Sequence, residues 1–514
     1  MTTSNCSDNH GLGPTPCDLP IPQGLKDEWK RLATRRHFLG ASGKVLGAAA
    51  LSSLMAETLT SPALAGPNAA RDARDAGVLG NPHFVPTAKR VINLFMSGGP
   101  PQMDMFDYKP GLAKWFDKDL PEDIRGTAMP TGMTAGQNRF PVAPSKWGFK
   151  QYGQCGRWVT DLLPHTGKVV DDMAFLHSVH TDAINHEPAI LMMNTGNMIP
   201  GKPSLGAWLA YGLGSANHDL PTYVVLEANF TLGNDQPINS RLWGSGFLSS
   251  RFAGVMLRSD NEPVFYLKDP AGMSRRTRRA MIDAVGALNQ RTYEQTADPE
   301  THARISQYEM AFRMQASVPE LADLSDEPES TWKLYGPEAK EPGSYAYCCL
   351  MARRLAERGV RITQVYKRGW DLHGNVVGHL PTLCRDTDLA TYALITDLKQ
   401  RGMLDDTLVV WNGEFGRTVY SQGGLSHENY GRDHHAKCMT VWLAGGGVKG
   451  GTTYGETDEF SYSIASDPVH VRDLNATILK CLGIDHARLT HRFQGLDQRL
   501  TGVEESHIVK DILG

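Results

Sequence analysis

Six short apolar runs set among long helical segments leave this 514-residue chain few ways to fold. They are RVINLFM (90–96), MAFLHSV (173–179), TYVVL (222–226), VRITQVY (360–366), TLVVWN (407–412) and CMTVWLAG (438–445). Continuous apolar character dominates them, so they read as strands buried on both faces. Gly98, Gly99, Pro100 and Pro101 bound the first of them. Helical periodicity runs through LGAWLAYGLG (205–214), YAYCCLMARRLAERG (345–359), LCRDTDLATYALITDLKQRG (383–402) and DPVHVRDLNATILKCLGI (467–484). Strands alternating with helices predict an α/β domain over residues 90–500, its mostly parallel sheet covered on both sides.

Residues 230–340 break this rhythm. They hold a Gly/Ser/Asn-rich part, a basic helical part RRTRRAMIDAVGALNQRTYEQ (275–295) and an acidic loop DLSDEPESTW (323–332), and they read as an insertion or cap. Residues 501–514 read as a C-terminal tail. The formal net charge is -4 and no long basic run occurs, which excludes nucleic acid as the expected partner. RRTRR (275–279) reads as a solvated helix face.

The N-terminus carries TRRHFLG (34–40), a weak apolar stretch KVLGAAALSSLMAETLT (44–60) and a small-x-small site ending at Ala65. That arrangement predicts a twin-arginine export signal over residues 1–65, a linker over 66–89, and a mature protein in the periplasm or cell envelope. The apolar stretch holds Glu57 and is too short to span a bilayer, so no transmembrane segment is expected after cleavage. Cys155, Cys348, Cys349, Cys384, Cys438 and Cys481 would remain, none in a C-x-x-C pair. They read as buried small hydrophobes.

In open α/β sheets, ligands bind where strands give way to loops at their carboxyl ends. The polar residues gather there. SGGPPQMDMFD follows the first strand and supplies Ser97, Asp104 and Asp107; KRGWDLHGN follows the fourth and supplies Asp371, His373 and Asn375. GEFGRT follows the fifth with Glu414 and Arg417, and GRDHH, with Asp433, His434 and His435, precedes the sixth. Mixed Asp, Glu and His without cysteine suits one or two divalent ions rather than a structural zinc knot. Arg417 would be left for an anionic group. Two other motifs fail: HEPAI (186–190) has Ile190 where H-E-x-x-H needs its second His, and Lys449 of GGGVKGGTTYG does not precede Ser or Thr.

RVINLFMSGGPPQMDMFDYKP, GWDLHGN, LDDTLVVWNGEFGRT, GRDHHAKCMTVWLAGGGVKGGTTYGETD and VRDLNATILKCLGID together resemble the exported bacterial domain-of-unknown-function family 1501. They are more distantly similar to the alkaline phosphatase and sulfatase superfamily. The resemblance covers roughly residues 88–500. It implies an alkaline-phosphatase-like three-layer sandwich with metals at the carboxyl edge of the sheet. It carries the superfamily's metal ligands onto Asp104, Asp371, His373, Glu414 and one of His434 and His435. It puts the nucleophile, depending on register, on Thr181, Asp182 or His186, of which Thr181 is chemically the best candidate. No sulfatase modification motif occurs, which argues against a formylglycine mechanism.

The expected function is therefore that of an exported hydrolase of phosphate or sulfate esters, acting on a small molecule or glycan. One or two zinc, manganese, calcium or iron ions would activate Thr181 or water, and Arg417 and His186 would stabilise developing charge. The alternative is a metal-stabilised binding or envelope protein on the same fold, without turnover.

Overall fold

The computed structural model describes residues 76–126, 131–258, 269 and 272–514. The expected export signal and the first part of the linker lie outside these residues.

Strands β1 (Arg90–Met96), β2 (Met173–His180), β3 (Tyr223–Ala228), β4 (Val255–Leu257), β5 (Ile362–Lys367) and β6 (Thr407–Asn412) are followed by a ribbon, β7 (Gly416–Gln422) and β8 (Gly431–His435). Then come β9 (Met439–Ala444), β10 (Thr453–Tyr454) and β11 (Val469–His470). The helices used below are α1 (His186–Thr195), α2 (Leu205–Leu213), α3 (Arg275–Thr296), α4 (Pro299–Ala322), α5 (Tyr345–Glu357), α6 (Val376–Gln400) and α7 (Val471–Cys481).

The central sheet has the order β10-β2-β9-β6-β1-β5-β3-β4, with β11 also paired to β2. Within it β9 runs antiparallel to β2 and β6, and the other pairings are parallel. Successive side chains of a strand point to opposite faces, which explains the continuous apolar runs. Ile92, Leu94 and Met96 pack into a core with residues of α5 and α6, while Val91 and Phe95 face α1, α2 and α7. The result is a three-layer α/β sandwich with a mostly parallel sheet.

Residues 230–340 are not of one kind. β4 extends the central sheet beside β3, whereas α3 and α4 pack against each other across the turn at Ala297 and Asp298. The chain end is tied down as well: Ile512 is buried, and its carbonyl accepts the Lys449 amide at 2.7 Å. Residues from 76 onward dock similarly, with Phe84 N–H donating to the Gly483 carbonyl at 2.9 Å.

One buried imidazole of the sheet makes stability pH-dependent. His177 on β2 lies 3.1 Å from Thr440 Oγ1 and 3.4 Å from Arg157. Burial pushes its pKa down to about 4, with Asp107 opposing and the Arg157 charge assisting. The folded chain thus holds His177 neutral at pH values where the unfolded chain takes up a proton. Its contribution is complete above about pH 6.5 and is lost as pH falls toward 4, a shift of about 3 kcal/mol. Urea unfolding at pH 7.5 and 4.5 should show His177→Asn losing less stability on acidification than wild type; equal losses would remove His177 as a cause.

Candidate metal centre

Four side chains from three segments converge beyond the carboxyl edge of the sheet. Among the described residues, His186, Asp371, His373 and His434 form a group whose ligand atoms all lie within 4.8 Å of one another. His186 opens α1, Asp371 and His373 follow β5, and His434 lies on β8.

Close backbone approach makes this possible. Gly98, after β1, adopts a φ of +122°, and a Cβ there would collide with the Asp371 amide. Gly431 in β8 is pressed against the His373 carbonyl in the same way. Side chains at these two positions would push apart the segments that carry the imidazoles.

The ribbon explains which of the paired histidines faces the group. Its register sets His434 opposite Arg417 and His435 opposite Gly416. Neighbouring strand residues point to opposite sides, so only His434 reaches Asp371. His435 turns away and holds the Tyr462 carbonyl at 2.5 Å.

The three imidazoles share one arrangement. His186 Nδ1 lies 2.6 Å from Glu414 Oε1, His434 Nδ1 lies 2.8 Å from the Ile184 carbonyl, and His373 Nδ1 lies 2.5 Å from Gln422 Oε1. Each partner is an acceptor, which places a proton on Nδ1 and keeps Nε2 for Asp371 or, once Nε2 gives up its own proton, for an ion. The three Nε2 atoms then face the same Asp371 oxygen, Oδ1, at 3.2 Å from His186, 2.9 Å from His373 and 3.6 Å from His434. His186 Nε2 makes no hydrogen bond despite its proximity to Asp371. The His373 and His434 Nε2 atoms are 2.9 Å apart. Ligands of a tetrahedral ion with bonds near 2.05 Å lie about 3.3 Å from one another. The spacings here bracket that value, and the anchored Nδ1 atoms match the outer hydrogen bonds that metal-ligating histidines make.

Burial by itself would raise the Asp371 pKa. Contacts with His186, His373 and His434 and the Arg417 guanidinium outweigh burial and hold the carboxyl far below the usual carboxylate range. Burial would likewise lower the His186 pKa, but the Asp371 and Glu414 carboxylates raise it. For His434 burial prevails and the pKa falls.

The other expected residues stand outside the group. Asp104 is fully buried and gripped by Arg432, with Nε to Oδ2 at 2.6 Å and Nη2 to Oδ1 at 3.1 Å, so both its oxygens are taken. Glu414 serves His186 Nδ1 and accepts the Gly98 amide at 2.8 Å, one shell behind the group. Arg417, expected to meet an anion, is 0% exposed. It donates from Nε to the Gly99 carbonyl at 2.9 Å, from Nη1 to the Arg432 carbonyl at 3.0 Å, and from Nη2 to the Gly98 carbonyl and Asp371 Oδ1. Four of its five N–H groups are thus committed to the protein, and no face of the guanidinium opens to a ligand. Thr181 sits at the end of β2, its amide bonded to the Ala436 carbonyl and its hydroxyl buried without a partner. Gln236, which donates to Asp371 Oδ2 at 2.9 Å, and Gln422 carry no spacing signal in the sequence. His186 carries one: it is the first helical residue after the second buried strand.

The sequence profile of a family described as Protein of unknown function (DUF1501) matches residues 88–513. The chain belongs to that family. No curated protein matches this DUF1501 chain by sequence. Among solved structures, it is similar to the lipoteichoic acid synthase LtaP from Listeria monocytogenes, with TM-score 0.31, 10% identity, and 85% of this chain and 80% of that one covered. It is also similar to the alkaline phosphatase from the Antarctic bacterium TAB5, with TM-score 0.30, 9% identity, and 77% and 98% covered. A third likeness is to the PsFucS1 sulfatase from Pseudoalteromonas sp., with TM-score 0.30, 12% identity, and 82% and 73% covered. Likenesses this distant leave the chemistry of this DUF1501 chain to be argued from its own residues.

Proposed function

We propose that this chain is an exported, metal-dependent hydrolase of phosphate or sulfate esters with one ion at its centre. The observation that carries the reading is the convergence of three Nδ1-anchored imidazoles on Asp371 Oδ1. Three nitrogen donors and one carboxylate oxygen favour zinc, iron or manganese over calcium, which takes oxygen ligands. His186, Asp371, His373 and His434 would hold the ion, which when bound supplies Lewis-acid polarisation of an ester oxygen.

The rest follows from the chain's own groups. Thr181 would supply the attacking oxygen, taking the phosphoryl or sulfuryl group while the ester's alcohol leaves with the hydroxyl proton, and water would then release that group from Thr181. Its hydroxyl is buried, free of competing hydrogen bonds, and two residues along a backbone contact from His434. Glu414, Gln422 and the Ile184 carbonyl keep the three histidines in one tautomer. Arg417 positions Asp371 and does not touch substrate. Export by the twin-arginine route belongs to the same reading, supported by Arg35, Arg36 and the small residues ending at Ala65. No helix among the described residues is long and apolar enough to cross a membrane.

The test is Thr181→Val, assayed on aryl phosphate and aryl sulfate esters beside wild type. Turnover should fall on the order of 10³-fold or more with metal content unchanged. Equal turnover would remove Thr181 as nucleophile. The second reading, a metal-stabilised binding protein, is favoured by Arg417 having no face open to an anion. Absence of turnover by fully metal-loaded wild type across both ester classes would select it.

A further inference from the structure

The metal centre brings few charges together. A divalent ion and the Arg417 guanidinium would be met there by the Asp371 and Glu414 carboxylates, both buried, which leaves a single positive charge. The three imidazoles add none once their Nε2 atoms hold an ion. Arg417 has no charge to offer outward, because its Nε, Nη1 and Nη2 groups are committed to Gly99, Arg432, Gly98 and Asp371.

The cations on adjoining segments are occupied. Arg241 pairs with Glu187, the residue after His186, at 3.2 Å. Arg368, three positions before Asp371, pairs with Glu227 at 2.8 Å and with Asp235 at 2.6 Å. Arg472 pairs with Asp182, the residue after Thr181, at 3.2 Å. Lys437 lies over the Tyr462 ring, on the side to which His435 turns and away from Asp371. Behind His434, the fully buried Asp433 accepts from the His434 amide at 2.7 Å and from the Thr131 and Thr134 hydroxyls, all of them neutral partners. Its negative charge draws the potential of the centre further down.

A dianion entering this site would leave a net negative charge in a buried setting, where an unanswered charge is costly. A monoanion would be matched. The candidate esters differ in this respect. A phosphate monoester carries close to two negative charges above pH 7, whereas a sulfate monoester and a phosphate diester carry one.

We propose that the centre is selective for monoanionic esters, sulfate monoesters or phosphate diesters, over dianionic phosphate monoesters. The selectivity rests on the hydrolase reading and narrows it. Its cause is Arg417: a guanidinium able to clasp an anion is turned inward to hold Asp371, so a second substrate charge meets nothing.

The experiment is isothermal titration of the metal-loaded protein at pH 8 with methyl sulfate, dimethyl phosphate and methyl phosphate. The two monoanions should bind on the order of 100-fold more tightly than methyl phosphate, the effect of one unanswered charge about 6 Å away at an effective dielectric of about 20. Gln236→Lys puts an ammonium against Asp371 Oδ2, and Glu414→Gln removes a negative charge. Either variant, with its metal content verified, should bring methyl phosphate about 10-fold closer to the monoanions. Wild type that binds methyl phosphate as tightly as the monoanions, or a preference unmoved in both variants, would overturn the proposal. So would equal binding by metal-free protein, which would place the anions elsewhere. Turnover of an aryl sulfate beside a methyl aryl phosphate tells the two monoanionic sources apart. Selective binding with turnover of neither would sink the hydrolase reading and leave the charge selectivity standing; turnover confined to phosphate monoesters would do the reverse.

Discussion

Purified protein should carry about one equivalent of a divalent transition ion, and His373→Ala should carry none. The ion would be held by three nitrogens and one oxygen, and removing one of four ligands opens the coordination shell. Metal binding to a site absent from the unfolded chain adds directly to folding stability, so the variant should also unfold at lower temperature. Asp371→Ala should lose the ion and more: it strands the Arg417 guanidinium, fully buried, without its counter-charge. Removing one partner of a buried pair costs about 3–5 kcal/mol. The difference between the two variants, measured with both proteins metal-free, isolates that ion pair. Gln422→Ala should keep the ion but bind it about 10- to 100-fold more weakly, since it frees the His373 ring. Elemental analysis with competitive chelation measures all three. Wild type that stays metal-free after incubation with zinc, manganese and iron would sink the centre.

Arg432→Met should be among the most destabilising single substitutions in the chain, by about 3–5 kcal/mol, without altering metal content. Arg432 and Asp104 are both 0% exposed and meet through two hydrogen bonds. Arg432 also donates to the Thr418, Val419 and Ala143 carbonyls, which the substitution leaves unpaired. Adding Asp104→Asn should recover part of the loss by removing the stranded charge. A double variant no more stable than Arg432→Met would show that the carbonyl contacts, not the ion pair, dominate. Loss of metal in the folded single variant would return Asp104 to the centre.

The strands were legible in the sequence because burial on both faces writes continuous apolar runs, and β1 and β6 begin and end where the sequence predicts. The gathering of polar residues at the carboxyl edge followed from the same reasoning. The choice between His434 and His435 did not. It depends on the β7–β8 register, in a stretch whose polar composition reads as loop. Asp104 looked like a ligand because it follows the first strand; what occupies it is Arg432, 328 positions away. Local pattern carries no trace of such a partner. Arg417 misled for a related reason, since a guanidinium near acids suggests an anion site until the carbonyls of Gly98, Gly99 and Arg432 are seen to surround it.

The four candidate ligands come from positions 186, 371, 373 and 434. An ion bound there fastens together the ends of loops of about 185 and 60 residues, as a cross-link would. Such closure is entropically costly to reach and hard to reverse once made. The four donors meet only after β5, α1 and the ribbon have been docked, so the apo chain must complete most of its fold before it can select a metal. A protein built this way has its ion chosen by the compartment where it folds, and a chain exported already folded would carry that choice to wherever it works.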